Sequence, residues 1–418
     1  MKTLIVAFVA ASVLLGPANA GNETAPQSYE SALAAAQAAF AAEDFPGAAE
    51  ALDDAQAFRP YSLFITRNRV LARYLSGETA AALAIAEAVA ARGIALEFPA
   101  TDAFNQLRAD AAFAAVQQSF VENLTPKGSP RIVAAYPEAE LLPEAVIKTE
   151  AGFLIGSVRS GKIFDASPEA LRAIAVLDGG VFDLALSADK TRIYAVINNQ
   201  LAYEGAGVRA TEAAFVSVDR ASGAVTSKMI VRDGAALLGD IEVEGEVRYA
   251  TDSLTPRVLR LDAEGTLRTL AADARFANLQ GLALDRKKRR LFVADYLAGL
   301  FVIDLRSNEV TPIGNPSDAH LGGIDGVYLH RGDLIGIQNG TTPQRIVRIK
   351  LDKEGTTARK LSVLQQSLPE WNEPTHGFVD GDRFVYIATS NWPAYDDAGK
   401  LRDGAALRPL RLMAIELN

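Results

Sequence analysis

Six stretches of this chain begin alike, and that recurrence limits its fold more than any other feature. Each opens on a polar residue and runs into a short small-or-apolar strand. A turn follows, then a β-rich strand with a small polar end, then a further strand ending in Asp. The starts are Glu144 in LLPEAVIKTEAGFLIGSV, Asp183 in VFDLALSADKTRIYAV, Asp240 in LLGDIEVEGEVRYATDS, Gln280 in NLQGLALDRKKRRLFVADY, Asp325 in GGIDGVYLHRGDLIGIQNG and His376 in EPTHGFVDGDRFVYIATSN. Their separations of 39, 57, 40, 45 and 51 residues suit a four-stranded unit with loop insertions. No helix-length segment interrupts them, so residues 131–418 read as an all-β six-bladed propeller rather than a parallel α/β sheet. The first strand of each blade lines the central channel, which brings the six polar starts together at its mouth. The sixth blade has three strands of its own, near Gly377–Val379, Phe384–Ala388 and Arg411–Glu416. Arg131–Ala135 is expected to supply the fourth, a closure that removes exposed sheet edges.

A helical region precedes the sheets. From Tyr29 to about Gln118 the chain is alanine-rich, poor in β-branched residues and spaced for helices. Ala72, Tyr74, Glu78 and Ala82 follow Ala38, Phe40, Asp44 and Ala48 at an offset of 34, with Gly77 at the turn between. Small residues at a helix crossing permit close approach, and the aromatic fills the neighbouring groove. In period and in those positions residues 21–120 resemble the tetratricopeptide repeat family, which implies a small all-α TPR-like N-terminal domain. Such a domain can bind a protein partner, or simply pack on its neighbour. Residues 121–130, with two prolines and a glycine, read as a linker.

Residues 1–20, MKTLIVAFVAASVLLGPANA, have the charged start, apolar run and small-residue end of a secretory signal peptide, with cleavage expected before Gly21. The apolar run is shorter than a bilayer span needs. The mature chain is therefore expected to be periplasmic or secreted, soluble and not inserted in a membrane. It has no cysteine, which excludes disulfides, thiolate zinc sites, iron–sulfur clusters and cysteine nucleophiles. Three histidines are too few for a histidine-rich metal site, and a net charge of −9 disfavours a nucleic-acid partner. No G-x-S-x-G occurs, and no glycine-rich stretch runs into the Lys-Ser/Thr and strand–helix context of a P-loop.

Leu142-Pro143-Glu144, Gly239–Ser253, Gln280–Tyr296, Gly323–Gly326, Gln338–Arg345 and Glu373–Gly377 recur in order. On these motifs residues 131–418 resemble the SMP-30/gluconolactonase/paraoxonase-like superfamily of six-bladed propellers. That resemblance implies one divalent cation, calcium first, with magnesium, manganese, zinc or none as alternatives. By position it implies Glu144, Gln280 and Asp325 as metal ligands and Asp240 at a place used for ligand or substrate contact. Gln280 departs from the family's usual Asn, and its extra methylene moves the carbonyl. Read from the residues alone, oxygen-rich clusters of this kind suit a hard cation, or merely cap a water-filled channel.

The remaining candidates each have two readings. His376 is a general base or a further ligand, or a channel histidine bonded to water. Asp183, Asn339 and Arg345 are placed for substrate binding, though Arg345 can equally point outward from its strand. Asp252, Asp295 and Asn391 end second strands and are expected to cap turns, while Trp371 and Trp392 form an apolar rim or pack in the core. His320 and His330 read as loop or turn residues. The function expected is a metal-dependent hydrolase of a lactone or other ester, with Asp240 or His376 orienting or deprotonating water. The alternative is a non-catalytic binding or interaction module.

Overall fold

The computed structural model describes residues 28–167, 170–200, 202–205 and 212–417. The expected leader, residues 1–20, lies outside the described residues. The described chain divides into two compact units, with the boundary between Thr125 and Pro126.

The first unit is helical: α1 (Tyr29–Ala41), α2 (Phe45–Phe58), α3 (Leu63–Leu75), α4 (Thr79–Ala91), α5 (Asp102–Ala109) and α6 (Ala114–Asn123). Their starts are set by side chains that answer the free N–H groups of the first turn. Ser28 and Ser31 form a reciprocal capping box on α1, Asp44 caps Gly47 on α2, and Ser62 caps Ile65 on α3. The 34-residue offset reappears as geometry, because α3 and α4 begin 34 residues after α1 and α2. Ala32, Ala36, Ala48, Leu52, Ala55 and Ala72 are fully buried where these helices meet. Helix α6 runs through Asn123, so the expected linker begins as helix. Farther along it, Lys127 exchanges both backbone hydrogen bonds with Gln366, and the Gln365 amide donates to Ser129 O at 2.9 Å.

The second unit is a six-bladed propeller of six four-stranded antiparallel sheets. The blades' first strands are Pro143–Lys148, Gly180–Leu186, Leu238–Glu244, Leu279–Asp285, Val327–His330 and Gly377–Asp380. Each touches the next, and the sixth returns to the first, so the inner strands form a closed ring. The sixth blade closes as the sequence predicts. Ile132–Tyr136 pairs antiparallel with Leu410–Glu416, with Ala135 opposite Arg411 and Tyr136 opposite Leu410.

Strand alternation puts every second side chain against a neighbouring blade, so the core lies between blades. One cluster joins Ala145, Leu154 and Ile163 of blade one to Val181, Ile193 and Val216 of blade two. Another joins Val385, Ile387 and Leu412 of blade six to Val146 and Ile155 of blade one. The inner strands of blades four and five approach closely. A Cβ on Gly281 would lie 2.5 Å from Asp325 O and 2.6 Å from Val327 N, so only glycine fits there.

At the hairpins that join first to second strands, ion pairs cross between blades. Glu150 meets Lys190, Arg192 meets Glu246, Glu244 meets Arg289, Arg331 meets Asp382, and Lys148 meets Asp380. His330 joins this set rather than a bare turn, with Nε2 3.0 Å from Asp382 Oδ1.

Candidate functional site

The site follows from an irregularity shared by the inner strands. Register shifts fall between Pro143 and Ala145, Val181 and Asp183, Leu238 and Ile241, and Leu279 and Leu282. Glu144, Asp183, Asp240 and Gln280 therefore stand at or beside a bulge. A bulge takes a residue out of the ladder and re-aims its side chain, which is why such features cluster at functional sites. Asp325 and His376 stand just ahead of the regular strands of blades five and six. Asp325 N donates to Ile337 O, and His376 O accepts from Ile387 N, both at 2.9 Å.

Two three-residue groups result, and they share one imidazole. Ligand atoms of Glu144, Asp325 and His376 lie within 4.8 Å of one another, and so do those of Asp183, Asp240 and His376. His376 is buried, with Nε2 3.1 Å from Asp240 Oδ1 and Nδ1 3.8 Å from Asp183 Oδ1. Burial by itself disfavours the imidazolium, but the Asp240, Asp183 and Asp325 carboxylates outweigh it and raise the His376 pKa well above the ordinary value. The surrounding carboxylates thus favour the protonated ring over the neutral one. A protonated ring donates, so general-base work by His376 requires that proton to be lost first.

The carboxylates around it are held by specific donors. Trp392 Nε1 donates to Glu144 Oε1, while Glu144 Oε2 is buried with no hydrogen-bond partner. Burial, followed by repulsion from Asp325, pushes the Glu144 carboxyl up to about 8. Asp325 Oδ2 accepts from Asn339 Nδ2 at 2.7 Å. Burial raises the Asp325 pKa, against the opposing pull of His376 and Asn339. Asn339 also donates to Pro374 O at 3.2 Å and accepts from the Tyr296 hydroxyl at 3.0 Å.

Asp183 and Asp240 have a second task. Asp183 Oδ2 accepts the Ile241 N–H of blade three, and Asp240 Oδ2 accepts the Leu282 N–H of blade four, each at 2.9 Å. Each carboxylate thereby clips its blade to the next, using an oxygen other than the one nearest His376. Asp240 Oδ1 is buried without a hydrogen-bond partner, and burial raises the Asp240 pKa well above normal despite the nearby imidazolium.

Two expected residues are engaged elsewhere. Gln280 is half-buried at its bulge, but its Nε2 donates to Asn278 Oδ1 at 2.5 Å within its own blade. Among acidic and histidine side chains, His376 joins Glu144 and Asp325 in a close group, and the Gln280 contact to Asn278 uses the amide nitrogen, not the carbonyl oxygen. Arg345 is 1% exposed, and its Nε and Nη2 both donate to Gln338 Oε1, its cross-strand partner. A guanidinium in that position is a brace inside blade five and is not presented to a substrate.

The turn residues behave as expected. Asp252 accepts from the Leu237, Leu254 and Thr255 amides, and Asp295 from those of Ala277, Asn278, Leu297 and Ala298. Trp371 is core, its Nε1 donating to the Tyr386 hydroxyl at 2.9 Å.

Sequence reasoning missed Glu373, Tyr296 and Tyr328. Burial, then Asp325, pushes the Glu373 carboxyl up to about 7, and its backbone sits at φ 57°. Its position three residues before His376, in the quoted EPT triplet, was the available signal. Burial followed by Asp325 and Glu373 raises the Tyr296 phenol well above its ordinary value. Tyr328 OH accepts from Gly377 N at 2.8 Å, another clip between blades.

Chemically, Glu144, Asp325 and His376 offer two carboxylates and an imidazole to a cation. The unpartnered Glu144 Oε2 is the atom such an ion would satisfy, so the residues fit one, provided His376 gives up its proton.

No protein-family model matches the chain, and no curated protein matches it. Among solved structures, a gluconolactonase from Xanthomonas campestris is 14% identical with a TM-score of 0.46, covering 69% of this chain and 95% of that one. A protein of Thermus thermophilus described as a candidate oxidoreductase (glucose dehydrogenase) is 17% identical with a TM-score of 0.46, covering 70% and 100%. Virginiamycin B lyase from Staphylococcus aureus is 13% identical with a TM-score of 0.42, covering 63% and 82%. The architecture of this chain stands on its own six four-stranded sheets closed into a ring.

Proposed function

We propose that this chain is an exported, metal-assisted hydrolase of lactones or related esters, with its site at the start of the inner strands. The observation that carries the reading is the buried group of Glu144, Asp325 and His376, with Glu144 Oε2 left without a partner. A divalent ion bound there supplies Lewis acidity toward a carbonyl oxygen. Trp392 fixes one oxygen of Glu144, and Asn339 fixes one of Asp325. Asp183 and Asp240 orient the His376 ring. Glu373, with its carboxyl at about 7, is matched to accept and return a proton near neutral pH, the role first sought in Asp240 or His376. An imidazole among the donors moves the preference from calcium, which takes oxygen ligands, toward manganese or zinc. Export completes the proposal, with residues 1–20 removed. Among the described residues no helix is long and apolar enough to cross a membrane.

The test is calorimetric titration of chelator-treated protein with Ca²⁺, Mg²⁺, Mn²⁺ and Zn²⁺, followed by a lactone and aryl-ester screen. Binding and turnover that both fall in Asp325→Asn and Glu144→Gln support the reading. Failure of all four ions to bind defeats it. One observation favours a non-catalytic role: two of the carboxylates, Asp183 and Asp240, clip adjacent blades through backbone N–H groups. Normal folding with neither metal binding nor turnover would leave that role standing.

A further inference from the structure

We infer that the long connection of blade six covers the site with an apolar wall, and that the substrate is a lactone or ester bearing an alkyl or aryl substituent, not a polyhydroxylated sugar lactone. This rests on the hydrolase reading above and narrows its substrate class.

The connection between the second and third strands of blade six comprises residues 388–409, whereas the corresponding connections are 158–161 in blade one, 253–256 in blade three and 296–298 in blade four. These connections leave the same end of the blades from which the inner strands start. The blade-six segment has a built internal structure. Asn391 sits in the left-handed region at φ 69°, and its amide donates to Ala139 O and Arg408 O at 2.8 and 2.9 Å. Asp396 Oδ1 accepts from the Ala398 and Lys400 amides, and Arg402 Nε donates to Tyr395 O.

Blade one holds the segment in place. Arg159 Nη1 donates to Gly399 O at 2.9 Å, and the guanidinium carbon lies 5.2 Å from the centroid of the Tyr395 ring. Ala394 and Tyr395 are buried against Leu142, Val158 and Ala202. At the margin of this cluster Trp392 and Phe182 are only half-buried. Their positions tie the apolar surface to the chemistry. Trp392 donates to Glu144, and Phe182 immediately precedes Asp183. A substituent on a carbonyl compound held at Glu144 therefore lies beside the Trp392 indole.

The polar side of the site argues the same way. Asn339 commits its amide nitrogen to Asp325 and Pro374 O, and its oxygen to Tyr296. Asn339, satisfied in this way, gives little reward to the hydroxyls of a sugar lactone, which would lose water on entry.

The experiment compares γ-lactones whose ring substituent grows from hydrogen to hexyl, with glucono-δ-lactone as the polar competitor. It uses the full chain loaded with the ion selected by titration, as wild type, Trp392→Phe and Trp392→Ala. The kcat/KM of wild type should rise about two- to fourfold per methylene and exceed that for glucono-δ-lactone. Both variants lose the indole N–H, so absolute rates can change in both. Trp392→Phe should keep the chain-length dependence and Trp392→Ala should flatten it. A flat wild-type series, a preference for glucono-δ-lactone, or an undiminished slope in Trp392→Ala would overturn the inference. Calorimetry with the corresponding alkyl lactams separates this result from the fate of the hydrolase reading. Chain-length-dependent lactam binding that is lost in Trp392→Ala, without lactone turnover, upholds the wall and defeats the hydrolase. Turnover or lactam binding indifferent to chain length overturns the wall.

Discussion

Replacing Asp240 by Ala and by Asn separates the two tasks assigned to this carboxylate. In the native chain Oδ2 accepts the Leu282 N–H at 2.9 Å, and Oδ1 lies 3.1 Å from His376 Nε2. The Ala variant leaves a buried backbone donor without a partner and takes away the nearest carboxylate of a buried imidazolium. An orphaned buried donor costs about 1–3 kcal/mol, and a hydrogen bond to a charged group is worth about 1.5–3. The expected loss for Asp240→Ala is therefore about 2–4 kcal/mol. The Asn variant keeps an oxygen for Leu282 N–H, removes a carboxylate whose ionised form burial disfavours, and allows His376 to become neutral. Its expected loss is below about 1 kcal/mol, within the range of swaps that keep shape and hydrogen bonding. Urea denaturation of metal-free protein followed by tryptophan fluorescence measures both, and an unchanged m-value shows that the comparison concerns stability alone. Equal destabilisation by Ala and Asn would refute the clip, since the two differ chiefly in the acceptor offered to Leu282. A stability of Asp240→Ala equal to wild type would refute the burial argument altogether.

Three further outcomes are expected. The Glu144 carboxyl ionises near 4.5 when unfolded and at about 8 when folded, so its contribution to metal-free stability is fully present below pH 4.5 and is lost as pH rises through about 8; the raised His376 pKa adds in the same direction. Thermal melts of metal-free protein should therefore fall between pH 5.5 and 8.5, more gently in Glu144→Gln, and an equal slope in that variant would contradict the assignment. Deleting residues from Arg411 onward removes the fully buried Leu412 and Met413 and unpairs Ile132–Tyr136, so cooperative melting of the propeller should be lost, and a normal transition would disprove the closure. Protein from its native host should have the intact mass of a chain beginning at Gly21, and a mass that includes Met1–Ala20 would remove export from the proposal.

The blade plan was legible because it rests on local signals: a polar start, alternating apolar residues and Gly/Asp turns, repeated six times. The closing strand was legible for the same reason, as an orphan β-run at one end and a three-stranded blade at the other. The site was legible only as far as each residue's place on its own strand. Glu144, Asp183, Asp240, Asp325 and His376 were found at blade starts, but no strand pattern tells which starts lean toward one another. Pairing His376 with four carboxylates depends on bulges in neighbouring blades. Trp392 was read as rim or core because the carboxylate it serves lies 248 residues away. Arg345 was misread because its alternatives turn on which cross-strand neighbour carries an acceptor, and Gln338 does. Gln280 was placed correctly on its strand, and its amide nitrogen donates to Asn278, two residues back, a local contact that the strand pattern does not announce.

A carboxylate has two oxygens, and this propeller divides them between structure and chemistry. Asp240 gives Oδ2 to the backbone of blade four and turns Oδ1 to His376. Asp183 gives Oδ2 to the backbone of blade three, while Oδ1 accepts its own chain's Leu184 N–H and faces the same imidazole. A channel lined by acids thereby avoids choosing between a scaffold role and a site role, because the clips fix the aspartates and the aspartates fix the histidine. The cost is electrostatic, since converging carboxylates repel one another and burial weakens their solvation. A proton on His376, which these carboxylates favour, offsets part of that charge. Glu144 and Asp325 lie at its other side, where Glu144 Oε2 remains without a hydrogen-bond partner. A cation arriving at that oxygen and a proton held on His376 compensate the same negative charge, so each weakens the hold of the other. Under the proposed function, the structural and catalytic roles would correspond to two charge states of one arrangement, with the proton favoured at low pH and a bound metal favoured as pH rises.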